Sequence, residues 1–169
     1  DPTLSDWVEG LRVAQRHLHS LGITAWQDAH VGGGYPTFDA YAQLAASGEL
    51  TARVVGALWW DRHRGIEQVN DLLEARERGR TGRFAATTVK IMQDGVVEKH
   101  TAAVLEPYLD ADGRPTRNRG TSFVGAEDLK AGVTRLDAEG FQVHIHAIGE
   151  RAVREALDAF ETARAANGA

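Results

Sequence analysis

The feature that most constrains the fold is a regular alternation of helical and strand-like segments. Apolar residues recur at helical spacing in residues 3–20, 36–47, 66–78, 126–138 and 151–166. Short apolar or β-branched runs occupy residues 23–28, 52–60, 84–92 and 141–148. The order α-β-α-β-α-β-loop-α-β-α predicts βαβ units, a parallel sheet and a single domain over residues 1–169.

Two architectures are open on this pattern alone. The second strand, ARVVGALWW over residues 52–60, is almost entirely apolar, as expected when both faces of a parallel sheet are covered. Four such strands could form a small doubly wound open sheet. They could also form half of an eight-stranded (β/α)8 barrel, which needs ~250 residues for all eight units.

Composition excludes several classes of function. The net charge of −5 is spread over segments of mixed sign, so nucleic acid is not an expected partner. No apolar run reaches the length of a membrane span, and residues 1–6 lack the features of a signal peptide. The absence of cysteine fits a reducing cytoplasm, and it restricts any metal ligands to histidine, carboxylate or modified lysine.

The strongest local motif is His144-Ile145-His146 on the fourth predicted strand. Side chains alternate along a strand, so both imidazoles project from the same face, roughly 7 Å apart. Both lie near the carboxyl end of the strand, where parallel α/β folds bind ligands. The pair is therefore interpreted either as metal ligands or as packed core histidines.

A lysine and two aspartates lie at comparable strand positions. Lys90 is embedded in an otherwise apolar strand, where it is either salt-bridged or has a depressed pKa that allows carbamate formation. Asp94 follows on the same face, and Asp28 ends the first strand. Each aspartate could orient a metal ligand or could simply end a strand.

Other polar features favour structural roles. Residues 110–113 (DADG) predict a β-turn, because the spacing of a calcium loop is absent. The glycines of residues 32–34 predict a mobile connection, and Trp59-Trp60 predict core with a pocket wall. The isolated histidines are expected to be solvated or structural: His17, His19, His30, His63 and His100.

Four blocks in order resemble the amidohydrolase superfamily, and most closely its branch related to N-substituted formamide deformylase. The blocks are residues 22–29 (GITAWQDA), 89–98 (VKIMQDGVVE), 101–108 (TAAVLEPY) and 142–152 (QVHIHAIGERA). The resemblance implies a (β/α)8 barrel with one or two divalent ions, commonly zinc, that hydrolyses a small amide-type substrate. The four strands would then be the second to fifth of the barrel, so the chain is about half of it.

The resemblance also assigns site residues. It implies Lys90 as a carboxylated lysine, His146 as a metal ligand and His144 as a neighbouring candidate ligand. Glu150 stands where the family pattern has aspartate, and like Asp94 and Asp28 it is a candidate for orienting a metal ligand or contacting substrate. The family's first-strand His-x-His, sixth-strand histidine and eighth-strand aspartate have no counterpart in these 169 residues.

This departure predicts that the isolated chain lacks activity and associates with itself or with the remaining half of the barrel. Exposed strand edges favour such association. The rival hypothesis is a non-catalytic α/β binding or interaction module with an open sheet, in which Lys90, His144 and His146 are structural. A metal-dependent isomerase or deaminase would share the metal site and differ only in substrate.

Overall fold

The structure, a computed structural model, describes residues 2–168, and its elements follow the predicted alternation. The helices are α1 Leu4–Ser20, α2 Thr37–Ala46, α3 Val69–Arg78, α4 Ala126–Ala138 and α5 Glu150–Asn167. The strands are β1 Ala25–Val31, β2 Arg53–Trp59, β3 Phe84–Met92 and β4 Gln142–His146. No helix within the described residues has the length and apolarity needed to cross a membrane.

Strand order distinguishes the two architectures that the sequence left open. The strands are hydrogen-bonded in the order β1-β2-β3-β4, and the first two pairings are parallel. A doubly wound sheet reverses its strand order at a switch point, whereas a barrel wall adds each strand next to the previous one. The sequential order confirms the predicted class, parallel β/α units that amount to half of a TIM-type barrel.

Strands β1 and β4 begin later than predicted because the first amides of the predicted segments cap the preceding helix. After α1, Gly22 has a φ of +78°, its N–H donates to the His19 carbonyl, and the Ile23 N–H donates to the Leu18 carbonyl. This is the Schellman arrangement, in which glycine adopts the left-handed conformation. Gly140 closes α4 in the same way, so β4 begins at residue 142 rather than 141.

The predicted third helix divides into two parts. Residues Gly65–Gln68 form a 3₁₀ turn, and the α-helix begins at Val69. The Gln68 side chain is 2% exposed and binds the backbone of Asp61 on both its N–H and C=O, as well as the Gly65 carbonyl. These bonds tighten the turn that leads into α3.

The described chain divides into two compact units. The first contains the residues up to Trp59 together with Asn70–Lys90. Its core stacks Tyr41 of α2 on Phe84 of β3, with ring centroids 5.1 Å apart and an interplanar angle of 11°. Gly56 lies beneath this stack, and a Cβ there would come within 2.8 Å of the Phe84 ring.

The second unit comprises Trp60–Val69 and the chain from Ile91 onward. Its core joins Leu129, Val133 and Leu136 of α4 to a buried row of small residues on α5. The buried α5 residues are Ala152, Ala156, Ala159 and Ala163. The segment between β3 and α4 is an ordered excursion, and the predicted turn is confirmed, since the Gly113 N–H donates to the Asp110 carbonyl.

Candidate functional site

Asp94 is the most extensively bonded of the predicted site residues. Its side chain is fully buried and accepts three backbone N–H groups. Oδ2 accepts from Ala103 at 2.9 Å and from Gly149 at 2.8 Å, and Oδ1 accepts from Ile148 at 3.0 Å. A buried carboxylate is stable only when it is paired in this way. Asp94 therefore ties the end of β3 to the segment after β4.

His146 lies beside this carboxylate at the carboxyl end of β4. Its Nε2 atom is 3.2 Å from the Gly95 carbonyl oxygen and 3.7 Å from Asp94 Oδ1. A carbonyl can only accept, so Nε2 carries the proton in this contact. In the neutral ring, Nδ1 then holds the free lone pair that a metal requires. The histidine side chain is 23% exposed.

His144 and Glu150 occupy different environments. His144 is partly buried on β4, and its Nδ1 atom is shielded from solvent. Glu150 begins α5 and accepts the Leu105 N–H at 2.7 Å. This backbone bond lowers the pKa of Glu150 below its usual range. The glutamate thus anchors the segment between β3 and α4, which contains Leu105, to the first turn of α5.

Lys90 lies inside β3, where its backbone is in register with Trp59 of β2. The residue is 8% exposed, and burial lowers the pKa of its ammonium. Within residues 2–168, this ammonium has neither an ion-pair partner nor a hydrogen-bond acceptor. The salt-bridge interpretation of Lys90 therefore has no support within the described chain.

Asp28 belongs to a hydrogen-bonded group in the first unit. Its Oδ2 accepts the Tyr41 hydroxyl at 2.9 Å, and its Oδ1 accepts the His30 N–H at the same distance. The Tyr41 oxygen in turn accepts the Trp26 indole N–H at 3.2 Å. Burial, with a smaller contribution from Asp28, raises the pKa of Tyr41 above its usual range.

Sequence reasoning missed the setting of His30. It was expected to be solvated or structural, yet its ring stacks on Trp59 with centroids 4.2 Å apart. Trp59 itself was expected to be core with a pocket wall. The available signal was the position of both residues at the carboxyl ends of adjacent parallel strands.

The described residues do not supply a complete set of metal ligands. Residues 2–168 contain no group of three or more His, Asp or Glu side chains placed to hold a metal ion. Each of two residues, taken by itself, has the chemistry of a metal ligand. Lys90 is a buried amine with no ionic partner among residues 2–168, and His146 keeps a lone pair on Nδ1 when its Nε2 atom carries the proton.

Comparison with known proteins places the chain. A model of the amidohydrolase family matches residues 3–169, nearly the whole sequence. The chain belongs to the amidohydrolase family. The superfamily resemblance drawn from the four sequence blocks is thereby confirmed.

Solved structures agree with this assignment. The chain is similar to the crystal structure of an uncharacterized metal-dependent hydrolase from Pyrococcus furiosus, with a TM-score of 0.74 and 28% identity over 96% of this chain. A similar hydrolase from Pyrococcus horikoshii OT3 gives a TM-score of 0.73 and 26% identity over 95% of this chain. The matches cover 32% and 31% of those two chains.

Two curated proteins also match. The exoenzymes regulatory protein AepA of Pectobacterium carotovorum subsp. carotovorum is 31% identical over 154 residues, covering 90% of this chain and 31% of that protein. The Arabidopsis thaliana protein LONG AFTER FAR-RED 3 is 36% identical over 80 residues, covering 47% of this chain and 13% of that protein. The chain thus spans a third or less of the length of these relatives.

Proposed function

We propose that this chain is the central, metal-binding part of an amidohydrolase that cleaves the C–N bond of a small amide- or formamide-type substrate. The observation that carries the proposal is Lys90, a buried lysine on β3 that has no ionic partner among residues 2–168. Similarity to metal-dependent hydrolases supports the reaction class. The formamide-type substrate rests on the sequence resemblance.

Lys90 is proposed to act as a carbamate. A depressed pKa increases the fraction of neutral amine, which attacks the carbon of CO2. A new N–C bond forms, one proton is released to solvent, and an anionic carbamate remains. The change replaces a buried cation with an oxygen donor of the kind that divalent metals bind. The unfavourable burial of the ammonium is thereby removed.

His146 is proposed as a second ligand, through Nδ1, with His144 as a further candidate on the same strand. The contact from His146 Nε2 to the Gly95 carbonyl fixes the ring in the tautomer that leaves Nδ1 free. Asp94, held by three amides, keeps the adjoining backbone in place. Glu150 and Asp28 are proposed to support the site through the loops that they anchor.

A divalent metal, for which we propose zinc, supplies when bound a water of lowered pKa and polarisation of the substrate carbonyl. The described residues contribute ligands and their supports, and we identify no general acid or base among them. We therefore expect negligible hydrolase activity from the isolated chain. The absence of cysteine also supports a cytoplasmic location.

The partner proposed for this segment is the remaining part of a barrel. Helix α5 buries alanines against α4 but exposes Val153, Leu157 and Phe160, which lie on one helical face. A cavity of about 450 Å³ adjoins this face, lined by residues that include Val133, Phe141 and Phe160. Further β/α units of a longer protein would cover this apolar surface, and self-association would do so in their absence.

The proposal is tested by carbamate formation and zinc binding on the chain itself. Incubation with ¹³C-bicarbonate and zinc should give a carbamate ¹³C resonance that is lost in Lys90→Arg and retained in Lys99→Arg, an exposed-lysine control. His146→Ala should weaken zinc binding by about tenfold or more in a chelator competition assay. A chain that forms no carbamate and binds zinc equally well without Lys90 and His146 would support the non-catalytic module instead.

A further inference from the structure

A bulge interrupts β1 close to its carboxyl end. The pairing of β1 with β2 is regular from Ala25 to Asp28 and then shifts, so that Val31 is in register with Leu58. Bulges occur often beside active sites, where they redirect a side chain. The residues displaced by this one are Ala29 and His30.

Side-chain hydrogen bonds stabilise the bulge. Asp28 accepts the backbone N–H of His30, the bond that turns the chain at this point. The carboxylate is itself fixed by the hydroxyl of Tyr41, a residue that is 2% exposed. The position of His30 therefore depends on a bonded group that extends into the core of the first unit.

His30 is presented to an aromatic surface. Its ring stacks on Trp59, the last residue of β2, at an interplanar angle of 26°. The Tyr35 ring packs edge-on against the His30 ring, with centroids 5.4 Å apart, and Tyr35 is 54% exposed. The Trp7 ring lies 5.8 Å from Tyr35 and extends the aromatic surface.

The Nε2 atom of His30 is buried and has no hydrogen-bond partner within the described residues. Most buried polar atoms in proteins have a partner, so an unpaired one can accept a bond from, or donate one to, a ligand that reaches it. Stacking on Trp59 does not use this nitrogen, since a phenyl ring could stack in the same way.

A glycine loop covers this atom. A Cβ at Gly33 would lie 2.9 Å from His30 Nε2 and 2.8 Å from Trp59 Cγ, so the loop can close here only because residue 33 is glycine. Gly32, Gly33 and Gly34 all have positive φ values, a conformation that side chains rarely adopt. Residues 32–34 thus form a cover that has no side chains of its own and is held by the bond from the Gly32 N–H to Thr37 Oγ1 at 2.9 Å.

We propose that His30, Trp59 and Tyr35 form a substrate subsite for a flat aromatic group that carries a hydrogen-bonding substituent. The aromatic rings bind the flat group by stacking, and Nε2 binds the substituent when residues 32–34 swing aside. The subsite lies at the carboxyl ends of β1 and β2, the edge where barrels bind substrate. This inference rests on the proposed function and narrows its substrate class to aromatic amides.

Benzamide is a suitable probe, because its ring stacks and its amide satisfies Nε2 in either tautomer. With metal removed by a chelator, benzamide should shift the His30 ring resonances saturably and change tryptophan fluorescence. Cyclohexanecarboxamide, which has the same amide but no aromatic ring, should bind roughly two- to tenfold more weakly. His30→Phe should weaken benzamide binding by roughly two- to tenfold, whereas the exposed-histidine control His63→Phe should not change it.

Equal binding of the two amides, or wild-type affinity in His30→Phe, would overturn the subsite. The His30 resonances of the unsubstituted chain provide a measurement that does not depend on the folding of any variant. Unchanged resonances at saturating benzamide would also overturn it. Because these measurements are made without metal, loss of carbamate formation at Lys90 with intact benzamide binding refutes the proposed function alone, and the reverse result refutes the subsite alone.

Discussion

Replacing Asp94 by asparagine tests whether this carboxylate organises the end of the second unit. The substitution preserves size but leaves only one accepting oxygen for three backbone N–H groups. If the remaining oxygen faces Ala103 and Gly149, the new amide group confronts the Ile148 N–H, and two donors meet in a fully buried position. Rotation of the amide loses two bonds instead of one.

The expected cost follows from these bonds. One charge-assisted bond is lost, at about 1.5–3 kcal/mol, and the two that survive become neutral and weaken by about 1 kcal/mol each. The free energy of unfolding should therefore fall by about 3–5 kcal/mol, a large part of the roughly 5–15 kcal/mol that is typical of a domain.

Asp28→Asn provides a matched control. Asp28 is only half-buried and accepts two groups, His30 N–H and the Tyr41 hydroxyl. The tyrosine oxygen can accept from the new amide group, because a hydroxyl both donates and accepts. We expect a smaller cost, about 1–2 kcal/mol.

Urea unfolding followed by circular dichroism measures both costs, and hydrogen exchange locates the first. In Asp94→Asn, the amides of Ala103, Ile148 and Gly149 should lose protection before the strands do. A smaller loss of stability in Asp94→Asn than in Asp28→Asn, or wild-type protection of the three amides in Asp94→Asn, would contradict this role of Asp94.

Three further predictions concern packing and pH. Gly56→Ala should lower the free energy of unfolding by about 1–3 kcal/mol because its Cβ overlaps a buried ring. Gly10 lies in open space on α1, so Gly10→Ala should raise the free energy of unfolding by about 0.5–1 kcal/mol. Urea midpoints that shift in the same direction for both variants would contradict this. Burial lowers the pKa of Lys90 in the folded chain below its ordinary value of 10.5. Between the folded and unfolded pKa values the unfolded chain binds more protons, so the free energy of unfolding of the wild type should rise with pH towards 10.5 relative to Lys90→Met. Parallel pH profiles of the two proteins would exclude the effect. The pKa of Glu150 is lowered from 4.5, so its contribution to stability is present above pH 4.5 and is lost below it. On acidification, the Tm of the wild type should fall more steeply than the Tm of Glu150→Gln. An equal slope would refute the contribution.

Local interactions explain which parts of the fold could be predicted. Helix α1 begins one residue after its predicted start, at Leu4, because Thr3 is its N-cap and forms a capping box with Asp6. Strand β3 matches its predicted limits, residues 84–92, because its β-branched run is bounded by polar residues. The sequence blocks also identified the family, which the match over residues 3–169 confirms.

The candidate site was predictable only in part. Lys90 and His146 were identified as candidates from their strand positions, and their roles as ligands stay predictions. Asp94 was interpreted as a ligand-orienting or strand-ending residue, whereas its contacts include amides up to 55 residues away. The stacking of His30 on Trp59 could not be predicted from the sequence, because the two residues lie on different strands.

The order of helices and strands, the glycines that end α1 and α4, and the family follow from the sequence, because these depend on interactions between near neighbours or on residue identity. The sequential strand order, the bulge after Asp28 and the bonds that satisfy Asp94 arise only when the chain folds. Each of these depends on which distant backbone groups meet a side chain after folding. Local periodicity contains no information about such pairings, since the same strand pattern is compatible with either sheet order.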